Sequence, residues 1–428
     1  MPPDLHNPPQ LLVLPGTHDC ANLGDLAMLQ VALERLKGLW PAAVLRVLTH
    51  DAAALTACCP GVEPVPLRGR NRWLKVQALP RWLFPGIRPE FRRSFPLRAD
   101  RVWKLGLFLW PAQYRMARRF VEAMFHSDLF VMAGCGVLAD VFGFNARRIL
   151  DTFDVAHRCG IPTALLSQGI GPIEDPALFR RASEVLPHLG RIFIRERRAT
   201  LSLLQRMSVP GEKIAVTGDD AVELAFRERR ADEGTGIGVN LRIARYSLLG
   251  QPAVDVVRHV LTGKAGQHGV RLLGFPISCG GAESDLQTLA QLFRGWEGRG
   301  EVGDNLRTPV DVVRRLSECR VVVTGSYHGA VFALSQGIPA VCLAESAYYQ
   351  DKFRGLADQF GAGCIVLRAG EPDFAHDLAA AFDGLWSQAV ALRPPLLRAA
   401  ERQVDEARAA YAHLPSLIAP GASRPAFE

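Results

Sequence analysis

Short apolar runs that end in glycine and polar residues, each followed by a helical stretch, recur along most of this 428-residue chain. Leu11 to Leu14 leads into Gly16-Thr17-His18-Asp19-Cys20-Ala21-Asn22-Leu23-Gly24-Asp25. Asp128 to Ala133 leads into Gly134-Cys135-Gly136, with Asp140 shortly after. Thr163 to Ser167 ends in Gln168-Gly169-Ile170-Gly171-Pro172, and Ile214 to Val216 in Thr217-Gly218-Asp219-Asp220. Further strands are predicted at Val44 to Leu48, Val62 to Val65, Ile192 to Ile194, Ile237 to Leu241, Val270 to Phe275, Val321 to Thr324, Ala340 to Leu343 and Cys364 to Leu367. Strands that alternate with helices pair in parallel, and the loops at their carboxyl ends collect on one rim, where ligands bind. The predicted fold is therefore α/β, with two doubly wound, Rossmann-like domains facing across a cleft. The charged, apolar-poor stretch Arg227 to Gly236 is the linker candidate. It divides an N-terminal Rossmann-like domain (1–228) from a C-terminal Rossmann-like domain (229–375), followed by C-terminal helices and a tail (376–428). Phe374 to Leu392 and Leu396 to Tyr411 read as two separate amphipathic helices.

The stretch Val321 to Lys352 has the densest chemistry. A buried strand is followed by Gly325-Ser326-Tyr327-His328-Gly329 and a short apolar helix from Ala330 to Gln336, which Gly337 and Pro339 end. His328 falls at the helix start, where unpaired N–H groups and the helix dipole seat phosphate or carboxylate. It reads either as an anion contact or as a simple cap. Lys352 is a candidate second anion contact. The loop after the first strand has neither GxGxxG nor GxxxxGK, so neither a dinucleotide nor a P-loop site is supported.

Apolar residues make up 48% and charged residues 22% of the chain, which suits a globular enzyme with large cores. The amino terminus has no signal-peptide pattern, and no apolar run nears the ~20 residues of a membrane span. The nine cysteines form no CxxC pair and fit no zinc spacing, so reduced thiols, no metal and a cytoplasmic location are expected. Cys20 and Cys135, inside glycine-rich loops, are minor candidates for a thiol role. The net charge of +7 is unevenly spread: Arg68 to Arg119 contains fourteen Lys or Arg against Glu90 and Asp100. The same segment, 68–119, holds Trp73, Trp82, Trp103 and Trp110. It reads as a loop packed on its own domain, or as a peripheral contact with the inner membrane or a lipid-linked substrate. No nucleic-acid partner is expected.

Taken in order, Asn22-Leu23-Gly24-Asp25, Gly134-x-Gly136-x-x-x-Asp140, Ser167-Gln168-Gly169-Ile170-Gly171-Pro172, Arg195-Glu196, Gly218-Asp219-Asp220, Asn240-Leu241-Arg242 and Tyr327-His328 resemble the polysaccharide pyruvyl transferase family. The likeness runs from about residue 11 to 368, and it is specific as a set rather than motif by motif. It implies a GT-B-like architecture and transfer of pyruvate from phosphoenolpyruvate to a saccharide or lipid-linked acceptor as a ketal, with no cofactor besides that donor. By position it implies Asp140 as the base, His328 as the acid or phosphate partner, and Arg242 as an anion clamp. Asn22, Asp25, Gly134, Gly136, Ser326, Tyr327, Gly329 and Lys352 complete the substrate-binding candidates. For Asp140 a helix cap, for Arg242 a surface salt bridge, and for Asn22 and Asp25 a cap of the first helix are the plainer alternatives. The family usually has Arg where this chain has Ser326, a loss that removes a charge-assisted contact worth about 1.5–3 kcal/mol unless Arg245 or Lys352 replaces it. The alternative is a nucleotide-sugar-dependent GT-B glycosyltransferase, with Glu345 as the acid that would hold a ribose. A third reading is a non-catalytic binding protein that uses the basic segment.

Overall fold

In the computed structural model, which describes residues 8–77, 111–281, 284–295 and 300–418, each apolar run becomes a strand, and the central ones are fully buried. β1 (Gln10–Leu14), β2 (Val44–Thr49), β3 (Glu63–Pro66), β4 (Leu129–Met132), β5 (Thr163–Gln168), β6 (Arg191–Ile194) and β7 (Ile214–Val216) form a seven-stranded sheet in the order β3-β2-β1-β4-β5-β6-β7. β8 (Gly236–Asn240), β9 (Leu272–Gly274), β10 (Gly300–Glu301), β11 (Cys319–Thr324), β12 (Ala340–Ala344) and β13 (Cys364–Arg368) form a six-stranded sheet in the order β10-β9-β8-β11-β12-β13. Both are parallel, with β1 paired in register to β2 and β4, and β8 to β9 and β11. Strand order reverses between β1 and β4 in the first sheet and between β8 and β11 in the second. A crevice opens at the carboxyl ends of the strands at such a point, and here the two crevices face each other.

The connecting helices are α1 (Leu23–Leu39), α2 (Ala52–Cys58), α3 (Leu67–Gln77), α4 (Pro111–Phe125), α5 (Gly143–Arg158), α6 (Pro176–Val185), α7 (Thr200–Arg206) and α8 (Ala221–Arg227) in the first half. The second half adds α9 (Gln251–His268), α10 (Asp285–Leu292), α11 (Pro309–Leu316), α12 (Tyr327–Ser335), α13 (Ala347–Phe360) and α14 (Phe374–Tyr411). Asn22 caps α1 by accepting from the N–H groups of Gly24 and Asp25 at 3.0 and 3.1 Å. α1 is buried nearly all round, because α8 and α11 cover the face turned away from the sheet. One apolar core therefore runs from β1 through α1 and α8 into the second sheet.

The structure differs from the sequence reading at three places. α12 starts at Tyr327 rather than Ala330, which puts His328 inside its first turn with Ser326 as N-cap. The two helices predicted at the carboxyl end are one helix, α14, with Pro394 and Pro395 inside it. Proline removes an intrahelical N–H and crowds the preceding turn, but buried Leu385, Ala389, Leu392, Leu396 and Ala399 hold the helix on both sides of the break. The start of the segment read as a loop is a helix, α3, in which Trp73 is buried with its ring 5.6 Å from that of Phe120, packed on its own domain rather than offered to a membrane. Trp82, Trp103 and Trp110 and the rest of 78–110 lie outside the described residues. Among the described residues no helix is long and apolar enough to cross a membrane.

α14 reaches back to the first sheet. Tyr411 Oη donates to Asp220 Oδ2 at 2.6 Å, and Asp220 also pairs with Arg35 of α1. Arg35 Nη2 and Arg408 both contact Glu223 of α8. Tyr411→Phe should leave this buried carboxylate short of a donor and lower stability by about 1.5–3 kcal/mol, read as a reduced urea midpoint with an unchanged slope.

Candidate active site

The facing rims close on one small pocket, with a cavity volume of about 80 Å³. The seven-stranded side contributes Asn22 and Asp25 after β1, Gly136 after β4 and Arg195 after β6. The six-stranded side contributes Arg242 after β8, Ser278 after β9, Ser326 to His328 after β11, and Tyr348, Tyr349 and Lys352 of α13. Main-chain bonds staple the rims together: Leu23 N–H donates to Ile277 O and Cys279 N–H to Ala21 O, both at 2.8 Å. Tyr348 Oη donates across the cleft to Gly136 O at 2.8 Å.

Glycine is required where the two halves touch. A Cβ on Gly24 would overlap the His328 ring. A Cβ on Gly136 would lie 2.5 Å from Lys352 Nζ and 2.8 Å from Arg195 Nη2.

Each cation is held by a different device. Arg195 is 1% exposed, with Nη1 3.2 Å from Asp219 Oδ2 and its guanidinium 4.3 Å over the Tyr327 ring. Burial opposes its charge, but Tyr327 and Asp219 outweigh burial and raise its pKa above the arginine range. Its Nη2 is buried and, among the described residues, has no hydrogen-bond partner. Arg242 Nη1 pairs with Asp285 Oδ1 at 2.9 Å, and Tyr246 Oη accepts from Nε and Nη2. Asp285 is itself fixed by Asn240 Nδ2 and the N–H groups of Ile277 and Ser278 at 2.9–3.0 Å. Lys352 Nζ bonds Tyr348 Oη. Burial, then Arg195, holds its pKa well below the lysine range, against the pull of Asp25.

The acids and the imidazole are shifted as well. Burial pushes Asp25 up to about 6, with Lys352 and Arg195 opposing it, and Asp219 also to about 6 against Arg195. His328 Nε2 lies 3.7 Å from Asp219 Oδ2 and 3.4 Å from Met28 Sδ. Burial, then Arg195 and Lys352, lowers the His328 pKa well below 6.5, which favours the neutral ring. The Ser326 side chain makes no capping bond to α12, which leaves the N–H groups of that first turn without a side-chain cap.

The pocket thus brings together eight of the residues singled out in the sequence: Asn22, Asp25, Gly136, Arg242, Ser326, Tyr327, His328 and Lys352. Gly134 lies beneath it, pressed by Met28, and Gly329 packs on Thr324 and Phe275. Asp140 is not at the pocket wall; its carboxylate accepts from the N–H groups of Glu174 and Asp175 at 2.5 and 3.3 Å. Arg242 makes a buried pair rather than a surface one. Cys20 and Cys135 carry thiols pushed up to about 12 by burial, so neither supplies a thiolate. Arg195 and Asp219 have no assigned role in the sequence reading, although both follow short strands on the same rim. Asp285 and Tyr246 carry no strand-end signal at all.

The profile of the family described as "Polysaccharide pyruvyl transferase" matches residues 22–346. The chain belongs to the polysaccharide pyruvyl transferase family. Among curated proteins no match is found for this transferase. Its fold is GT-B-like. It is similar to a structure described as the "Glycotransferase of kitacinnamycin" (16% identity, 94% and 97% of the two chains, TM-score 0.51). It is also similar to S. aureus MnaA with UDP (13%, 92% and 94%, TM-score 0.52). A third similar structure is the UDP-GlcNAc 2-epimerase from Neisseria meningitidis bound to UDP-GlcNAc (12%, 92% and 98%, TM-score 0.51). At these identities the likeness establishes the pyruvyl transferase's fold alone.

Because Asp25 titrates near 6 when folded and near 3.8 when unfolded, the native state binds more protons between those values. Stability then falls as pH rises from about 4 to 6. Asp25→Asn should stabilise the pyruvyl transferase by about 1–3 kcal/mol at pH 7.5, and by nothing measurable at pH 4, in urea titrations at the two pH values.

Proposed function

We propose that this enzyme transfers pyruvate from phosphoenolpyruvate to a pair of saccharide hydroxyls as a ketal. The observation that carries the reading is the orphaned, buried Arg195 Nη2 beside Lys352, in a pocket that also holds Arg242 and the uncapped start of α12. A compact ligand with both phosphate and carboxylate satisfies such a set, since arginine suits both groups. The guanidinium lost at Ser326 is replaced by Arg195 and Lys352; Arg245 is exposed and not at the pocket wall.

In this reaction the methylene carbon of the donor gains a proton and becomes the methyl group. Two acceptor hydroxyls add to the adjacent carbon in turn and lose their protons, while the C–O bond to phosphate breaks. One proton leaves with the phosphate. His328, backed by the Asp219 carboxylate, becomes the imidazolium acid once the bound anion offsets Arg195 and Lys352. Asp25, poised near neutrality on the opposite wall, takes the hydroxyl protons. This places the base on Asp25 rather than Asp140, whose carboxylate is engaged with the 174–175 backbone. The nucleotide-sugar alternative lacks its ribose acid: Glu345 accepts from Gly370 N–H at 2.7 Å and from Arg368 at 3.4 Å, away from the pocket wall.

Phosphoenolpyruvate binding should take up protons at pH 7.5, because Lys352 and His328, both held below their usual range, gain affinity for a proton beside an anion. Calorimetry in buffers of different ionisation enthalpy reads this directly; proton release, or no binding, would remove the donor from the proposal. Lys352→Met and Arg195→Gln should each weaken the donor by roughly 10–100-fold. His328→Gln should keep most of the binding and lose turnover by about 100-fold or more, measured as phosphate release.

A further inference from the structure

Among the described residues, three buried nitrogen atoms near the carboxyl ends of β1 and β3 have no hydrogen-bond partner: His18 Nδ1, Arg70 Nη1 and Trp73 Nε1. Arg70 and Trp73 are one turn apart on α3 and share a face. Arg70 is 3% exposed, and its Nε and Nη2 reach only the neutral Asn71 Oδ1, at 3.2 and 3.0 Å. Among the described residues no carboxylate pairs with it. Burial, then the like charge of Arg148, lowers its pKa to about 10. A buried, unpaired cation is strongly unfavourable in an empty protein.

The surroundings make the imbalance worse. α3 carries Arg68 and Arg70 in its first turn and no acid there, which opposes the helix dipole. His18 feels burial first and then Arg70, and its ring meets that of His50 edge-on at 5.7 Å. His50 in turn feels Arg68 and Arg70. The carboxylate acting on both imidazoles, Asp19, is occupied by Thr17 Oγ1 and the Ala21 N–H, each at 3.1 Å. These groups sit at the carboxyl ends of β1, β2 and β3. The β1 loop connects them to the pocket: Gly16, two residues before His18, lies against Asp25 and Cys135.

We infer that Arg70, Trp73 and His18, with Arg68 and Arg148 around them, bind a phosphoryl group carried by the acceptor saccharide. A phosphoryl group offers three acceptor oxygens to a guanidinium, an indole N–H and an imidazole. Its charge also answers three arginines better than the single charge of a carboxylate. The site would anchor the acceptor on the seven-stranded rim, with the sugar directed along the β1 loop toward Asp25. Naming the ligand as the acceptor rests on the transfer reaction proposed above; the anion site itself does not.

The test is calorimetric titration of the full-length protein with inorganic pyrophosphate, with phosphoenolpyruvate present at saturation so that the donor pocket is filled. Wild type should bind; Arg70→Gln and Arg148→Gln should each weaken binding at least tenfold, and Arg242→Gln should not. Titration with phosphoenolpyruvate alone on the same samples reports the donor site separately, so failure there leaves the pyrophosphate result standing. In the absence of anion, Arg70→Gln should unfold at the same temperature as wild type or higher, since an unpaired buried charge is gone. A purely structural Arg70 would give a lower temperature. Should Arg70→Gln fail to fold, the surface variants Arg68→Gln and Arg148→Gln carry the test. A second arm uses vesicles containing a polyprenyl diphosphate: co-sedimentation that pyrophosphate competes away and Arg148→Gln abolishes identifies a lipid-linked acceptor. Binding in solution without co-sedimentation identifies a soluble phosphorylated saccharide. No pyrophosphate binding by wild type, or equal affinity in wild type, Arg70→Gln and Arg148→Gln, overturns the inference.

Discussion

The contact between the backbone of Gly24 and the imidazole of His328 is the constraint on which the pocket depends. It brings the start of α1 against the start of α12, so the positive ends of two helices from different sheets converge. Asn22 caps one of them, while the Ser326 side chain leaves the other uncapped. The same closeness explains why the β4 loop has glycine at Gly136, where Lys352 and Arg195 leave no room for a side chain. An apolar core that runs between the sheets, together with α14 tied to Asp220 and Glu223, holds the two rims at this separation.

Closeness also sets the chemistry. Packing Arg195, Lys352, His328, Asp25 and Asp219 into a dry junction moves each away from its solution behaviour. The acids hold their protons longer, and the lysine and histidine give theirs up more readily. An anion bound there raises the proton affinity of Lys352 and His328 beside it. Such poise near neutral pH suits a reaction that both donates and accepts protons. The second cationic cluster, around Arg70, lacks this internal compensation. A cluster whose charges are not balanced from within is balanced by what it binds.

The strand ends, the parallel architecture and most of the pocket were legible in the sequence. Glycine and polar residues after a buried strand have one consistent place in a doubly wound sheet, its carboxyl rim. Asn22, Asp25, Gly136, Arg242 and the Ser326–His328 turn all follow such strands, so they could be named and they converge as named. Local pattern also placed most of the helices, though not the first turn of α12 or the continuity of α14.

Tertiary structure decided what periodicity cannot carry. Asp140 follows the right kind of loop, yet its carboxylate turns to the 174–175 backbone, and only the fold reveals that competing partner. Asp285 reaches Arg242 from α10, 43 residues further along the chain, and Tyr246 folds back onto it from within the same loop. α14 passes through Pro394 and Pro395 because burial on both sides outweighs a local breaker. The titration behaviour of Asp25, Asp219 and Lys352, and the isolation of Arg70, follow from burial and neighbours rather than residue type. The sequence by itself determined which loops form the rim; the fold determined which side chains there face one another, because desolvation and pairing depend on distances that chain order does not encode.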